Sequence, residues 1–279
     1  MNSKPLTRIG MVNFINTAPL YEVWKQTVQH PEWLVVEADP AQLNRMLFTN
    51  ELDMGLVSSH EYAAHPEKYM ILDDISISAS GPVGSVSLFS TCEPAMLNGK
   101  LIILSGQSQT SVSLVKIILE EFYQVFPDYQ KGKALEAHKD LDNVSGVLAI
   151  GDEALLLAQS GKYPYRLDLG EVWYEQTALP FVFAVWAIRQ EYCEQHPEQV
   201  REIQRELKRC IEQGRKELGS ISRKVAARVS MSPDACYKYL CGIEYDLGPQ
   251  KKKSLERFID YLIAREQTKP SAVPLKIFI

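Results

Sequence analysis

Small neutral hydrogen-bonding residues recur where the apolar stretches of this chain give out. Asn16-Thr17 follows the apolar run that begins at Ile9, Ser58-Ser59 follows DMGLV at 53–57, and Gly84-Ser85 stands just before VSLFS at 86–90. The turn Ser105–Ser111, which holds Gln109, Thr110 and Ser111, follows LIIL at 101–104, and Gly151-Asp152 follows VLAI at 147–150. A strand that ends in such a turn and feeds a helix leaves backbone N–H groups pointing outward, with the positive end of the helix dipole behind them. In open α/β sheets ligands collect at these strand ends. Most of these turns carry neutral donors rather than charges, and together they suit a small carboxylated or phosphorylated ligand. The plainer reading stands beside this one. Asn, Thr and Ser are ordinary helix N-caps, and an Asp in a first helical turn ordinarily complements the dipole.

The common catalytic signatures are missing. The polar turn Ser105–Ser111 lacks the Lys of a phosphate-binding loop, no GxGxxG follows the first strand, and no GxSxG elbow occurs. His30, His60, His65, His138 and His196 have no metal-ligand spacing, so no metal is expected. His60 neighbours the Ser58-Ser59 turn but reads as an isolated surface histidine. Glu61 and Asp152 are the carboxylates nearest the strand ends; either could act as a base, and both are ordinary helix-start residues.

The elements that must position these residues alternate strand and helix, which makes the chain α/β. A buried strand over about Ile9–Ile15 leads into a helix over Ala18–Val28. A strand at Leu34–Glu37 and a helix at Ala41–Asn50 follow, the helix opened by Asp39-Pro40. Asp53–Val57 reads as a strand, Glu61–Ala64 as helix, and Met70–Asp74 and Ile75–Ala79 as short extended pieces. Ser80–Ser85, with two glycines around Pro82, reads as a turn that approaches something closely. A second set begins with Leu101–Leu104 and a helix to about Val125, then the strand Val147–Ile150, a helix to Gln159 and an extended Tyr165–Leu169. Leu179–Ile188, apolar on both faces, predicts a strand through the middle of a sheet, and helices over 197–218, 233–241 and 249–265 complete the chain. The order predicts two lobes: residues 1–91 with 180–279, and an inserted 92–179. A ligand cleft lies between them, collecting the polar strand ends.

A length of 279 residues allows one large or two modest domains, and 46% hydrophobic with 23% charged residues is the balance of a globular protein. A net charge of −5 argues against an extended nucleic-acid surface. The longest apolar run, Phe181–Ile188, is far too short to cross a bilayer, and MNSKPLTRIG has no apolar core for a signal peptide. The five cysteines are scattered without a CxxC pair, so a reducing cytoplasm is the expected setting. Nothing in the sequence speaks to an oligomeric state.

Several longer stretches carry a resemblance. VNFINTAPLY at 12–21, ELDMGLVSSHEYA at 51–63, SGPVGSVSLFS at 80–90, SQTSVSLVKIIL at 108–119, AIGDEALL at 149–156, YRLDLGEVWYEQTALPFVFAVW at 165–186 and GIEYDLG at 242–248 are similar, in order, to the chorismate dehydratase family of the futalosine route to menaquinone. The resemblance implies a two-lobed fold like the type II periplasmic binding proteins, with the ligand in the interlobe cleft. It also implies a lyase, needing no cofactor, that removes water from chorismate to leave 3-[(1-carboxyvinyl)oxy]benzoate. Asn16 matches the family's opening-turn Asn and Ser85 its Ser after GPV, so these two are expected nearest the chemistry. Thr17, Ser58, Ser59, Gln109, Thr110, Ser111, Gly151 and Asp152 are expected to line the substrate. The family commonly has Asp before GPV where this chain has Ser80-Gly81, which removes any acidic group from that turn. The sister 1,4-dihydroxy-6-naphthoate synthase shares the fold but opens on an SPCPND-like turn and uses a His of the second lobe. This chain has INTAP, and His138 lies in no comparable motif. That synthase, and a non-catalytic small-anion-binding protein, are the competing expectations.

Overall fold

The computed structural model describes residues 6–137 and 143–279; His138 and the first five residues of the N-terminal stretch lie outside them. Strand β1 (Thr7–Met11) leads through a single 3-10 turn (Ile15–Thr17) into helix α1 (Ala18–Thr27), followed by β2 (Trp33–Glu37), α2 (Pro40–Phe48), β3 (Met54–Ser58), α3 (Ser59–Ala64) and β4 (Tyr69–Ala79). Next come β5 (Val86–Ser90), β6 (Leu101–Ser105), α4 (Gln109–Ile117), β7 (Asp128–Gly132), α5 (Ala134–Ala137), β8 (Gly146–Ile150), α6 (Gly151–Ser160), β9 (Tyr165–Asp168) and α7 (Leu169–Thr177). The chain closes with β10 (Phe181–Arg189), α8 (Gln190–Gln195), α9 (Pro197–Lys216), α10 (Leu218–Val225), α11 (Pro233–Cys241), α12 (Pro249–Ala264) and β11 (Ile277–Phe278).

These strands form two sheets, one of order β11-β4-β10-β3-β1-β2 and one of order β7-β6-β8-β5-β9. In each, parallel neighbours sit beside an antiparallel strand: β10 runs against β3 and β4, and β5 runs against β8 and β9. The chain passes between the sheets at residues 80–85 and again between α7 and β10. Strand β5 therefore belongs to the second sheet, and a boundary at residue 91 falls one strand too late. The apolar face of VSLFS suits either sheet equally, so only its partners β8 and β9 reveal the assignment.

Other departures have local causes. The apolar run from Ile9 stops being strand at Met11 because the Thr17 hydroxyl donates to Val12 O and Phe14 O, turning the chain early. Met70–Asp74 and Ile75–Ala79 are one strand along β10, interrupted only by a left-handed Asp74 (φ 62°) and two register shifts. Helix α4 ends at Ile117 and widens into a π turn, Ile118–Phe122. Helix α7 follows Asp168, whose carboxylate caps Gly170 N–H and Glu171 N–H.

Two packing features fix where the cleft walls stand. Trp173 of α7 is fully buried against Phe181 and Phe258, with ring centroids 5.1 and 6.3 Å away, and its indole N–H donates to Ser254 Oγ at 3.0 Å. Helix α9 lies so close on α1 that a methyl at Gly214 would stand 1.8 Å from Pro19 O. Just before β3, buried Asp53 takes Arg8 Nη2 and Arg189 Nη2, each 2.7 Å from Oδ1. Burial alone would raise its pKa; the two guanidinium partners outweigh that and hold it below the usual carboxylate range.

Candidate functional site

A cleft with about 80 Å³ of free volume lies between the sheets. One water needs roughly 10–15 Å³ by this measure, so the space holds several. Its polar lining comes from both sides: Asn16, Thr17 and Ser58 at the ends of β1 and β3, and Ser85, Ser108, Ser111 and Gly151 around β5, α4 and α6. Phe14, Val83, Ile150 and Phe183 supply apolar walls. Among the described residues that line the cleft, none is charged.

The polar groups differ in what they have left to offer. Asn16 Oδ1 and Ser85 Oγ are buried and make no hydrogen bond of ordinary geometry. Asn16 is held from behind, its carbonyl accepting the buried Tyr245 hydroxyl at 2.8 Å. Ser85 is fully buried, and its own carbonyl accepts Gly151 N–H at 2.7 Å. The Tyr239 phenol lies beside the Ser85 hydroxyl; burial holds its pKa well above the ordinary tyrosine value, against the pull of that hydroxyl, so it stays a neutral donor. Ser58 and Ser108 are N-caps whose oxygens accept Glu61 N–H and Ser111 N–H, leaving each its own hydroxyl proton to donate. Thr17 spends its hydroxyl on Val12 O and Phe14 O, so it shapes the wall rather than binding. Helix α1 starts at the cleft with no side-chain cap, but its end is already engaged: Thr17 N–H goes to Phe14 O, Ala18 N–H to Ile15 O, Pro19 has no N–H, and the Asp152 carboxylate takes Ile15 N–H in the turn before it.

Gly151 is required by its backbone. Its φ is +56°, and a Cβ there would stand 3.1 Å from the Phe14 ring.

Of the residues expected to line a ligand, Asn16, Thr17, Ser58, Ser85, Ser111 and Gly151 meet in this cleft, and Ser59, Gln109, Thr110 and Asp152 do not line it. Ser59 is buried and donates to Val182 O at 2.6 Å, tying α3 to β10. Thr110 Oγ1 accepts His60 N–H at 2.8 Å, joining α3 to α4. Gln109 faces a separate hollow with Arg45, Glu61 and His65. Asp152 Oδ1 accepts Ile15 N–H at 3.2 Å, linking α6 to the turn before α1. Burial raises its pKa, opposed by that N–H and by Arg228. Glu61 accepts the Tyr69 hydroxyl at 3.0 Å, and burial raises its pKa too. His60 is largely shielded, and burial lowers its pKa.

Sequence reasoning passes over Tyr239 and Tyr245, and takes Ser108 only as part of the polar turn, where it could be no more than a cap. Tyr245 stood inside the quoted GIEYDLG stretch; Tyr239 had no signal beyond its helix. Beside the cleft, a hollow sharing Val12 and Phe14 carries Arg228, which donates to Asn13 Oδ1 at 3.0 Å and to Asn13 O. Among the described residues, no group of His, Cys, Asp and Glu could hold a metal ion, and no helix is long and apolar enough to cross a membrane.

Residues 7–264 match a family model described as menaquinone biosynthesis. The chain is 32% identical over 270 residues to a chorismate dehydratase of Thermus thermophilus, covering 91% of this chain and 94% of that one. The alkanesulfonate-binding protein SsuA of Xanthomonas axonopodis pv. citri, solved with MOPS bound, has the same fold at a TM-score of 0.71 and 14% identity, with 97% and 96% of the two chains covered. A Candida albicans protein described as having the generic periplasmic binding protein fold superposes at 0.69 with 10% identity, over 97% and 94%.

Proposed function

Because the chain belongs to the menaquinone biosynthesis family, we propose that it is a chorismate dehydratase, a carbon–oxygen lyase that removes water from chorismate and leaves 3-[(1-carboxyvinyl)oxy]benzoate. One observation carries the chemical part of this reading. Asn16 Oδ1, which has no hydrogen-bond partner, and Ser85 Oγ, whose neighbour is the Tyr239 phenol, face one uncharged cleft from elements of different sheets.

The reaction asks little of the protein beyond placement. Loss of the C3 proton and the C4 hydroxyl makes the ring aromatic, so the driving force resides in the substrate. The protein must hold two carboxylates, orient the C3–H bond and stabilise the departing hydroxide. Neutral donors fixed in an uncharged cleft can supply all three. The free hydroxyl protons of Ser58 and Ser108 suit the carboxylates. Ser85 donates to the leaving C4 hydroxyl. The Nδ2 hydrogens of Asn16, not its acceptor Oδ1, donate to the enolpyruvyl carboxylate, and that carboxylate takes the C3 proton. No side-chain base is needed: Asp152 is committed to Ile15 N–H, and Glu61 opens on a different hollow.

The test is to incubate pure protein with chorismate and follow a new aromatic absorber by ultraviolet spectroscopy and mass. A product with the mass of chorismate less water supports the reading. Heat on titration without product would instead mark a solute-binding protein, the role that the fold's other users make the main rival. Activity only on the cyclic de-hypoxanthine intermediate would mark the sister synthase.

A further inference from the structure

The turn that delivers Ser85 is held by residues outside the cleft. Asp168 is 7% exposed and takes four backbone N–H groups. Oδ1 accepts from Gly170 at 3.0 Å and Glu171 at 3.2 Å, which caps α7, and from Val83 at 3.0 Å. Oδ2 accepts from Gly84 N–H at 2.7 Å. A helix cap needs one oxygen. The second oxygen, and half of the accepted bonds, serve the residues immediately before Ser85.

Arg166, two residues earlier, grips the same turn from its other side. Its Nη2 donates to Gly84 O at 2.6 Å and its Nε to Ser87 Oγ at 3.1 Å. Both peptide faces of Gly84 are thus held by side chains of β9. Gly84 has φ +76° and Gly81 φ +117°, so the turn has little stiffness of its own and takes its shape from these contacts.

We infer that Asp168, assisted by Arg166, is a positioning residue for the elimination: it fixes the Ser85 hydroxyl at the departing C4 oxygen while touching no substrate itself. The inference rests on the reading of Ser85 given above. A hydroxyl displaced by an ångström can cost on the order of 10²-fold in rate.

Asp168→Asn separates the two duties of the carboxylate. The amide keeps one oxygen for the cap but presents an N–H₂ to Gly84 N–H. The expected result is a fall in kcat of about 10- to 100-fold with KM within about threefold, and an unchanged fold by circular dichroism. In a Ser85→Ala background the same change costs less than about threefold further, because the hydroxyl it positions is gone. Arg166→Lys, at a half-exposed site, repeats the cycle should Asp168→Asn not fold. A multiplicative loss in the double variants, or a loss confined to KM, overturns the inference while leaving the dehydratase reading intact. A wild-type protein that leaves chorismate untouched overturns that reading instead, and this inference with it.

Discussion

Asn16 and Ser85 carry the account because Asn16 Oδ1 and Ser85 Oγ are buried atoms that face the cleft, the first without a hydrogen-bond partner and the second with the Tyr239 phenol beside it, where buried polar atoms are ordinarily satisfied. A native chain keeps an unsatisfied buried amide or hydroxyl at a cost of about 1–3 kcal/mol, and a ligand that completes it returns that cost on binding. Asn16→Ala and Ser85→Ala are therefore expected to lower kcat by roughly 10²–10³-fold, the loss typical of a preorganised donor, while raising thermal stability slightly or leaving it unchanged. Initial rates of product absorbance and a melting curve check both halves. Glu61→Gln is expected to leave kcat within about threefold, since its carboxylate serves Tyr69 rather than the cleft. A loss of 10²-fold there would restore a protein base.

At the scale of elements, α9 against α1 is the contact that sets the Asn16 turn. A methyl at Gly214 would meet the backbone carbonyl of Pro19, which cannot swing aside as a side chain would. Gly214→Ala should therefore separate the helices and destabilise the fold by at least about 2 kcal/mol, read as a lowered urea midpoint at unchanged slope. Most of the strands and long helices were legible because their apolar spacing is a direct image of burial: Leu101–Leu104, Val147–Ile150 and the 197–218 helix stand close to where the spacing predicts. Strand β7 was not, because DYQKG lies at a sheet edge and buries little. Helix α7 had a signal that went unread, an Asp168 cap with Glu171 three residues on, which resembles a capping box. The site was half legible for a related reason. Strand-end polarity marks a residue as near a cleft, but Ser59, Thr110 and Asp152 show that the same polarity can be spent on joining elements, and only partner atoms distinguish the two uses.

Across the whole molecule, one buried ion cluster stands out away from the cleft lining. Asp53, 3% exposed between Arg8 and Arg189, has its folded pKa depressed. In the unfolded chain it titrates near an ordinary value of about 3.9, so the unfolded state binds the proton first as pH falls. Its stabilisation is present above that value and is lost as pH drops through the lower folded value. Melting temperatures should hold through neutral pH and fall on the acid side of about pH 4–5, and Asp53→Asn should lower the plateau and flatten that acid limb.

The cleft contains no charged side chain among the described residues that line it, and the two nearby carboxylates, Asp152 and Glu61, are partly buried groups whose pKa values burial raises. If either were the base, kcat would fall on the acid side through that raised value. The deciding measurement is therefore kcat against pH on saturating chorismate for the wild type and for Asp152→Asn. Elimination by the substrate's own carboxylate predicts a kcat that is flat from about pH 6 to 9, with the variant parallel to the wild type and within about tenfold of it. An acid limb at a raised carboxylate pKa that vanishes in Asp152→Asn, together with a loss of about 10³-fold, would contradict the account.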